Sequence, residues 1–247
     1  MTRHFKSSKS ARQSGKHAPH AFEQAIIETR DTYNPARFQK KPQPLQAQTE
    51  AQSQYISAIM SAELVFGIGP AGTGKTYCAA AYAADQLVNK RIDKIIVTRP
   101  NIEVGAGMGF LPGDLEEKFL PYLAPFRDIM IERMGVGAYE YAVKAKQISP
   151  EPLGFMRGKT FNDAIILLDE AQNVTPTEMK MFLTRAGKNC TVIVDGDADQ
   201  CDLSGPSGLM DAVHRLCNVD GVRIIEFTED DIVRSGLVRS VLKAYRN

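Results

Sequence analysis

The sequence predicts an α/β fold, a mainly parallel sheet with helices on both faces. Three observations predict it. Short apolar runs alternate with segments of helical period from Leu64 to Phe227, the order of strands joined by crossover helices. The first apolar run breaks into glycines and then into an alanine-rich segment, which is a strand, a turn and a helix. Each strongly polar motif follows the C-terminal end of a predicted strand, and open α/β sheets bind their ligands at that edge.

The elements follow in chain order. Residues 1–45 read as a basic, disordered arm and linker, and residues 46–247 as the folded domain. Residues 1–44 hold nine Lys/Arg and three Asp/Glu, a balance of +6, while the remainder holds 21 basic and 26 acidic residues, a balance of −5. Residues 1–20 have no apolar periodicity, Ala21–Arg30 reads as a short helix, and Pro35, Pro42 and Pro44 mark a linker. Such an arm either contacts nucleic acid or is a solvated tail. Thr49–Met60 is predicted to be helical, with Gln52, Ile56, Ile59 and Met60 on one face. Leu64–Ile68 is the first strand, and Thr76–Val88, rich in the best helix former, is the next helix.

Lys94–Thr98 is the second strand, followed by an irregular loop from Asn101 to Asp114 with four glycines. Loops of that length are usually functional. Leu115–Lys146 has helical periodicity interrupted at Pro121 and Pro125, with Gly135-Val136-Gly137 predicted to end it. Pro150–Thr160 reads as a loop and Ala164–Leu168 as the third strand. Thr175-Pro176-Thr177-Glu178 is a capping box with Pro at the first helical position, opening a helix that runs to Arg185-Ala186 and stops at Gly187. Thr191–Val194 and Arg223–Phe227 are the last strands, Leu209–Leu216 lies between them as a helix, and Asp230–Tyr245 closes the chain as another.

A chain of 247 residues can bury a sizeable core, and its net charge of +1 says nothing about partners. Cys78, Cys190, Cys201 and Cys217 show no metal-ligand spacing, so they read as buried or idle thiols in a reducing compartment. There is no apolar signal core and no run near the ~18 apolar residues of a membrane span. A cytoplasmic protein without membrane contact is the expectation.

Gly69-Pro70-Ala71-Gly72-Thr73-Gly74-Lys75-Thr76 fits G-x-x-x-x-G-K-[ST], the phosphate-binding P-loop. Gly72 and Gly74 let the backbone curl until several N–H groups point at one spot, and the following helix adds its positive end. Lys75, expected to stand exposed in the loop, supplies a charge for the β- and γ-phosphates of ATP, and Thr76 a hydroxyl for Mg²⁺. The strand Ile165–Leu168 then discharges Asp169 and Glu170. Asp169 is placed to orient Mg²⁺, and Glu170 to take a proton from attacking water. In Gly196-Asp197-x-x-Gln200, the neutral amide of Gln200 can orient water or sense the γ-phosphate. Gln52, with both a donor and an acceptor, can read adenine.

With these residues the chain resembles the PhoH-like ATPases, whose core is similar to the first RecA-like domain of superfamily 1 helicases. The likeness runs from Thr49 to Tyr245. It includes Thr49-x-x-Gln52-x-x-Tyr55, the P-loop, Thr98-Arg99-Pro100, the run Gly109–Lys118, Met156-Arg157-Gly158, Leu168-Asp169-Glu170-Ala171-Gln172-Asn173 and Met179–Arg185. The resemblance implies a P-loop NTPase of RecA-like fold that binds and hydrolyses ATP, assembled as a homo-oligomeric, hexameric ring and acting on RNA or another single-stranded nucleic acid. Two positions depart from the family pattern. Asp195 stands where the family usually has Thr, and Arg234-Ser235-Gly236 where it usually has Arg-His-Pro.

The leading functional reading is a Mg²⁺-dependent ATPase, with Arg234 as a candidate finger for the γ-phosphate. A small-molecule or nucleotide kinase is the alternative enzyme, and hydrolysis of ATP alone separates the two. A third reading is a nucleic-acid-binding protein switched by ATP, for which the basic arm speaks.

Overall fold

The computed structural model describes residues 43–100, 123–233 and 236. The basic arm before residue 43, the loop from Asn101 with the run Gly109–Lys118, Arg234 and most of the closing helix lie outside the described residues.

Six strands make one sheet: β1 (Leu64–Ile68), β2 (Lys94–Thr98), β3 (Ile148–Pro150), β4 (Ala164–Leu168), β5 (Cys190–Gly196) and β6 (Val222–Glu226). Their order is β3-β2-β4-β5-β1-β6, and every pairing is parallel. β5 therefore lies between β1, which leads into the P-loop, and β4, which leads into Asp169-Glu170. Two strand spacings, roughly 10 Å, separate those two strands, and the loops after them lean together over the tip of β5.

The pleat sorts the core. Val65, Ile95, Ile165 and Ile193 face the helices α1 (Glu50–Ser61), α2 (Lys75–Val88), α3 (Ala124–Met134) and α4 (Val136–Lys144). Phe66, Ile96, Ile166 and Val192 face α5 (Pro176–Leu183) and α6 (Gly208–Leu216) on the other side. Strands buried on both faces are continuous apolar runs, as parallel sheets require. Ala79, Ala80, Ala83 and Ala84 are buried on α2. Alanine orders no side chain on burial, and its small size lets α2 lie close between the sheet and Phe126 and Met130 of α3.

Several sequence expectations are corrected. On α1 the buried face is Gln52, Tyr55, Ala58 and Ile59, while Met60 is 66% exposed. The helix is turned so that Tyr55 reaches Asp195 and Gln52 reaches the Thr73 carbonyl. Gly135 (φ 84°) breaks the long helix, but Val136 and Gly137 are themselves helical and open α4. β3 lies in a stretch for which the sequence predicts no element and takes in Pro150, the first residue of the predicted loop. It is a three-residue edge strand ending in Pro150, too short to show a period, and proline is tolerated at such an edge. α5 ends at Leu183, with the Thr184 hydroxyl bonded back to the Lys180 and Met181 carbonyls. The capping box at Thr175 is present in both directions. The segment at Asp230 begins as a single 3-10 turn, Glu229–Asp231, and the chain is extended at Ile232. The Val233 N–H donates to the Gly72 carbonyl at 2.9 Å.

Candidate active site

The P-loop leaves β1 through Gly69 and enters α2 at Lys75. Gly69, Gly72 and Gly74 all have positive φ (141°, 88° and 85°). At Gly69 close approach adds to the requirement, because a Cβ would lie 2.2 Å from the Phe227 carbonyl oxygen.

Lys75 is not exposed, contrary to expectation. It is 8% accessible, and its Nζ donates to the Gly69 carbonyl at 2.7 Å, the Pro70 carbonyl at 2.8 Å and Thr73 Oγ1 at 3.2 Å. The loop curls its own carbonyls around the ammonium, which satisfies a buried charge. Burial lowers the lysine's pKa, and Asp195, Asp197, Asp169 and Glu170 oppose that shift.

Gln52 stands behind the loop. Its Nε2 donates to the Thr73 carbonyl at 2.9 Å and its Oε1 accepts from the Gln48 N–H at 2.8 Å. Thr49 caps α1 by accepting from the Gln52 N–H at 3.2 Å, so the Thr49-x-x-Gln52 spacing sets both the helix start and the glutamine's place.

Across the cleft, β4 delivers Asp169, whose Oδ1 lies 3.4 Å from Thr76 Oγ1. Burial raises the Asp169 pKa, Arg99 lowers it, and the neighbouring Glu170 raises it. Glu170 has φ 57° and ψ 37°, a left-handed conformation. Non-glycine residues held this way concentrate at functional sites. The Glu170 side chain is 48% exposed where that of Asp169 is 11% exposed.

Two residues given no role from sequence organise these carboxylates. Arg99 NH2 pairs with Asp169 Oδ2 at 2.9 Å and with Glu170 Oε1 at 3.1 Å. Gln172, buried, donates from Nε2 to Glu170 Oε2 at 2.8 Å and accepts the Asp197 N–H on Oε1 at 3.0 Å. It ties the acidic turn after β4 to the turn after β5. Asp197 Oδ2 in turn accepts the Ala71 N–H at 3.2 Å and Gln200 Nε2 at 2.5 Å. Both belong to motifs visible in the sequence, but only the pairing shows what they hold.

Gly72, Lys75, Thr76, Asp169, Glu170 and Gln200 thus line one cleft of about 340 Å³, with Arg99 on its wall. Gln52 is not among its lining residues. The hydroxyl and carboxylate of Thr76 and Asp169 are hard oxygen donors that suit Mg²⁺, an ion usually held by one or two protein groups plus substrate phosphates. Among the described residues no group of three or more His, Cys, Asp or Glu could hold a metal alone.

Beneath the P-loop lies a buried carboxylate. Asp195 accepts a hydrogen bond from the Tyr55 hydroxyl at 2.5 Å. It sits opposite Gly67 on β1, where a Cβ would come 2.5 Å from its Oδ1. Burial pushes the Asp195 carboxyl up to about 7, with the Tyr55 hydrogen bond pulling the other way. In the unfolded chain an aspartate titrates near ~4. Between those values the folded protein holds the extra proton, so stability falls as pH rises through that window and the loss is complete above it. The urea midpoint of the wild type should therefore drop from about pH 5 to about pH 8 relative to that of Asp195→Asn. Parallel curves for the two proteins would assign the proton elsewhere.

A family profile described as PhoH-like protein matches residues 44–246. Protein PhoH of Escherichia coli K12 is 46% identical over 214 residues, covering 85% of this chain and 60% of that protein. A PhoH-like protein of Bacillus subtilis is 46% identical over 207 residues, 83% of this chain and 65% of that one. The chain thus spans under two thirds of the length of these relatives. Among solved structures, a crystal structure of Pif1 helicase from Candida albicans aligns with a TM-score of 0.39 and 14% identity over 74% of this chain and 40% of that one. Among the described residues no helix is long and apolar enough to cross a membrane.

Proposed function

The chain belongs to the PhoH-like protein family, and from that premise we propose that it is a Mg²⁺-dependent ATPase. One observation carries the reading: the P-loop, the Thr76–Asp169 oxygen pair and the carboxylate of Glu170 share one cleft. Lys75 and the loop N–H groups bind the phosphates. Thr76 and Asp169 would hold Mg²⁺, which supplies charge neutralisation at the phosphate oxygens. Glu170 takes the proton from water, and Gln200, fixed by Asp197, orients that water. Gln52, read from the sequence as the adenine contact, is buried behind the loop with its oxygen and one amide proton engaged, which limits any contact with the base to its second amide proton. The Asp169-Glu170 pair suits water as the acceptor, which favours hydrolysis over transfer to a second substrate.

The basic balance of +6 in residues 1–44 favours coupling to a single-stranded nucleic acid, RNA in particular. A single parallel sheet opens its phosphate site at one edge, and a homo-oligomeric ring would close that edge with a neighbour. Arg234 is the candidate finger. The residue before it in the chain, Val233, bonds through its N–H to the Gly72 carbonyl of the P-loop.

The test is ATP turnover measured with and without single-stranded RNA, alongside the mass of the assembly. Turnover with ATP and Mg²⁺ alone, rising with RNA, is expected. Turnover per subunit should also rise with protein concentration through the assembly range. Absence of hydrolysis under all conditions, with a phosphorylated small molecule formed instead, would favour the kinase.

A further inference from the structure

Arg99 has no assigned role, yet it touches both carboxylates of the cleft. The form of that contact is informative. A single terminal nitrogen is shared between Asp169 and Glu170, and the buried Nε has no hydrogen-bond partner among the described residues. An arginine built only to pin a carboxylate uses its planar fork, two parallel hydrogen bonds to one acid. Here one nitrogen is divided between two acids and Nε is left over, so exchange for a richer acceptor loses little. The neighbouring Thr98 Oγ1 is also buried without a partner.

The partners are poised to release it. Asp169 attracts Arg99 while it carries an unshared negative charge. With a divalent cation held at Thr76 and Asp169, that attraction is cancelled and the guanidinium faces a like charge. The same cleft holds the P-loop, Lys75 and Gln200, so a nucleotide's terminal phosphate is the strongest new anion within it. Glu170 gains by the exchange. Its two oxygens accept from Arg99 and from Gln172, and departure of the guanidinium leaves Oε1 open to a water while Gln172 keeps Oε2 in place.

We propose that Arg99 is the residue by which this site tells a nucleoside triphosphate from a diphosphate, leaving the Asp169–Glu170 pair for the γ-phosphate and so freeing Glu170 to act on water. The inference rests on the ATPase reading and deepens it. Sensing of the phosphate and release of the base become one movement of one side chain, within a single subunit.

The experiment compares affinities of the full chain for ADP and for the non-hydrolysable triphosphate AMP-PNP, both with Mg²⁺, by calorimetry. The wild type is expected to prefer the triphosphate. Arg99→Ala should lose about 10- to 100-fold of that preference, the worth of one charge-assisted hydrogen bond. The ratio of the two affinities is the readout, and a far-UV circular dichroism spectrum and urea midpoint close to those of the wild type show that the variant is folded. Arg99→Lys, keeping the charge without the fork, should recover part of the preference. An unchanged triphosphate-to-diphosphate ratio in Arg99→Ala overturns the inference and leaves the ATPase reading standing. A fall in affinity for single-stranded oligouridylate with that ratio unchanged also overturns it, and gives Arg99 to a nucleic-acid phosphate instead. A wild type that binds neither nucleotide overturns the ATPase reading itself, and this inference with it.

Discussion

Glu170→Gln is expected to bind Mg²⁺-ATP and to hydrolyse it about 10²–10⁴-fold more slowly, the range for losing a positioned general base. Glutamine keeps the shape and the left-handed backbone that this position demands, so the change is confined to chemistry. Its amide oxygen can still accept from Gln172, as Oε2 of the glutamate does at 2.8 Å. What is lost is the basic oxygen on the exposed side of the cleft. Asp169→Asn should behave differently. Asp169 lies against Thr76, and removing its charge weakens metal-dependent binding before it slows the chemical step. Measuring nucleotide affinity against Mg²⁺ concentration, and single-turnover rates, separates the two. If both variants lose Mg²⁺-ATP binding equally and neither traps a complex, the division between metal holder and base is wrong.

Gly69→Ala carries the largest expected structural effect. Its φ of 141° is a conformation that side chains rarely adopt, worth about 1–3 kcal/mol of strain. The added Cβ would also meet the Phe227 carbonyl oxygen at 2.2 Å and its carbonyl carbon at 2.9 Å. Those are backbone atoms, fixed because the Phe227 N–H donates to the Ile68 carbonyl at 2.7 Å. Relief must come from the P-loop itself, and overpacking of this kind costs about a further 1–3 kcal/mol. Together that is a large part of the 5–15 kcal/mol typical of a folded domain. The urea midpoint should drop, and Mg²⁺-ATP binding should be lost because the Gly69 carbonyl that holds Lys75 has moved. Gly154→Ala is the control. No atom lies within 4 Å of a Cβ there, and its effect should stay within about 0.5 kcal/mol. Equal behaviour of the two variants would show that the approach of Phe227 does not constrain the loop.

These two positions illustrate how unevenly the site can be read from the chain. Glu170 as an acid after a buried strand was legible, because four apolar residues followed by two carboxylates is a local pattern. Its left-handed backbone was not, since glutamate has no propensity that announces it. Gly69 was legible as part of a motif, but its second requirement comes from Phe227, far along the chain. The sequence shows Lys75 to be in the loop but not that it is buried there. The carbonyls that bury it become its ligands only once the loop has curled.

What the order of residues dictates without the fold is local. Strand runs, the P-loop, the acidic turn and the Thr175 capping box each fit within about ten residues, and each follows from periodicity or from the chemistry of adjacent groups. The tertiary structure decided which of these meet. The insertion of β5 between β1 and β4 sets the loops after both outer strands over its tip and brings Asp197 to Ala71. It also brings Asp195 to Tyr55, 140 positions apart. The same packing gives Arg99 two carboxylates on β4's far end. Charge–charge and hydrogen-bond partners act through space over a few ångströms, while sequence patterns report only neighbours along the backbone. Strand order converts one into the other, and in a parallel sheet it is set by long crossovers whose packing on the two faces no local pattern encodes.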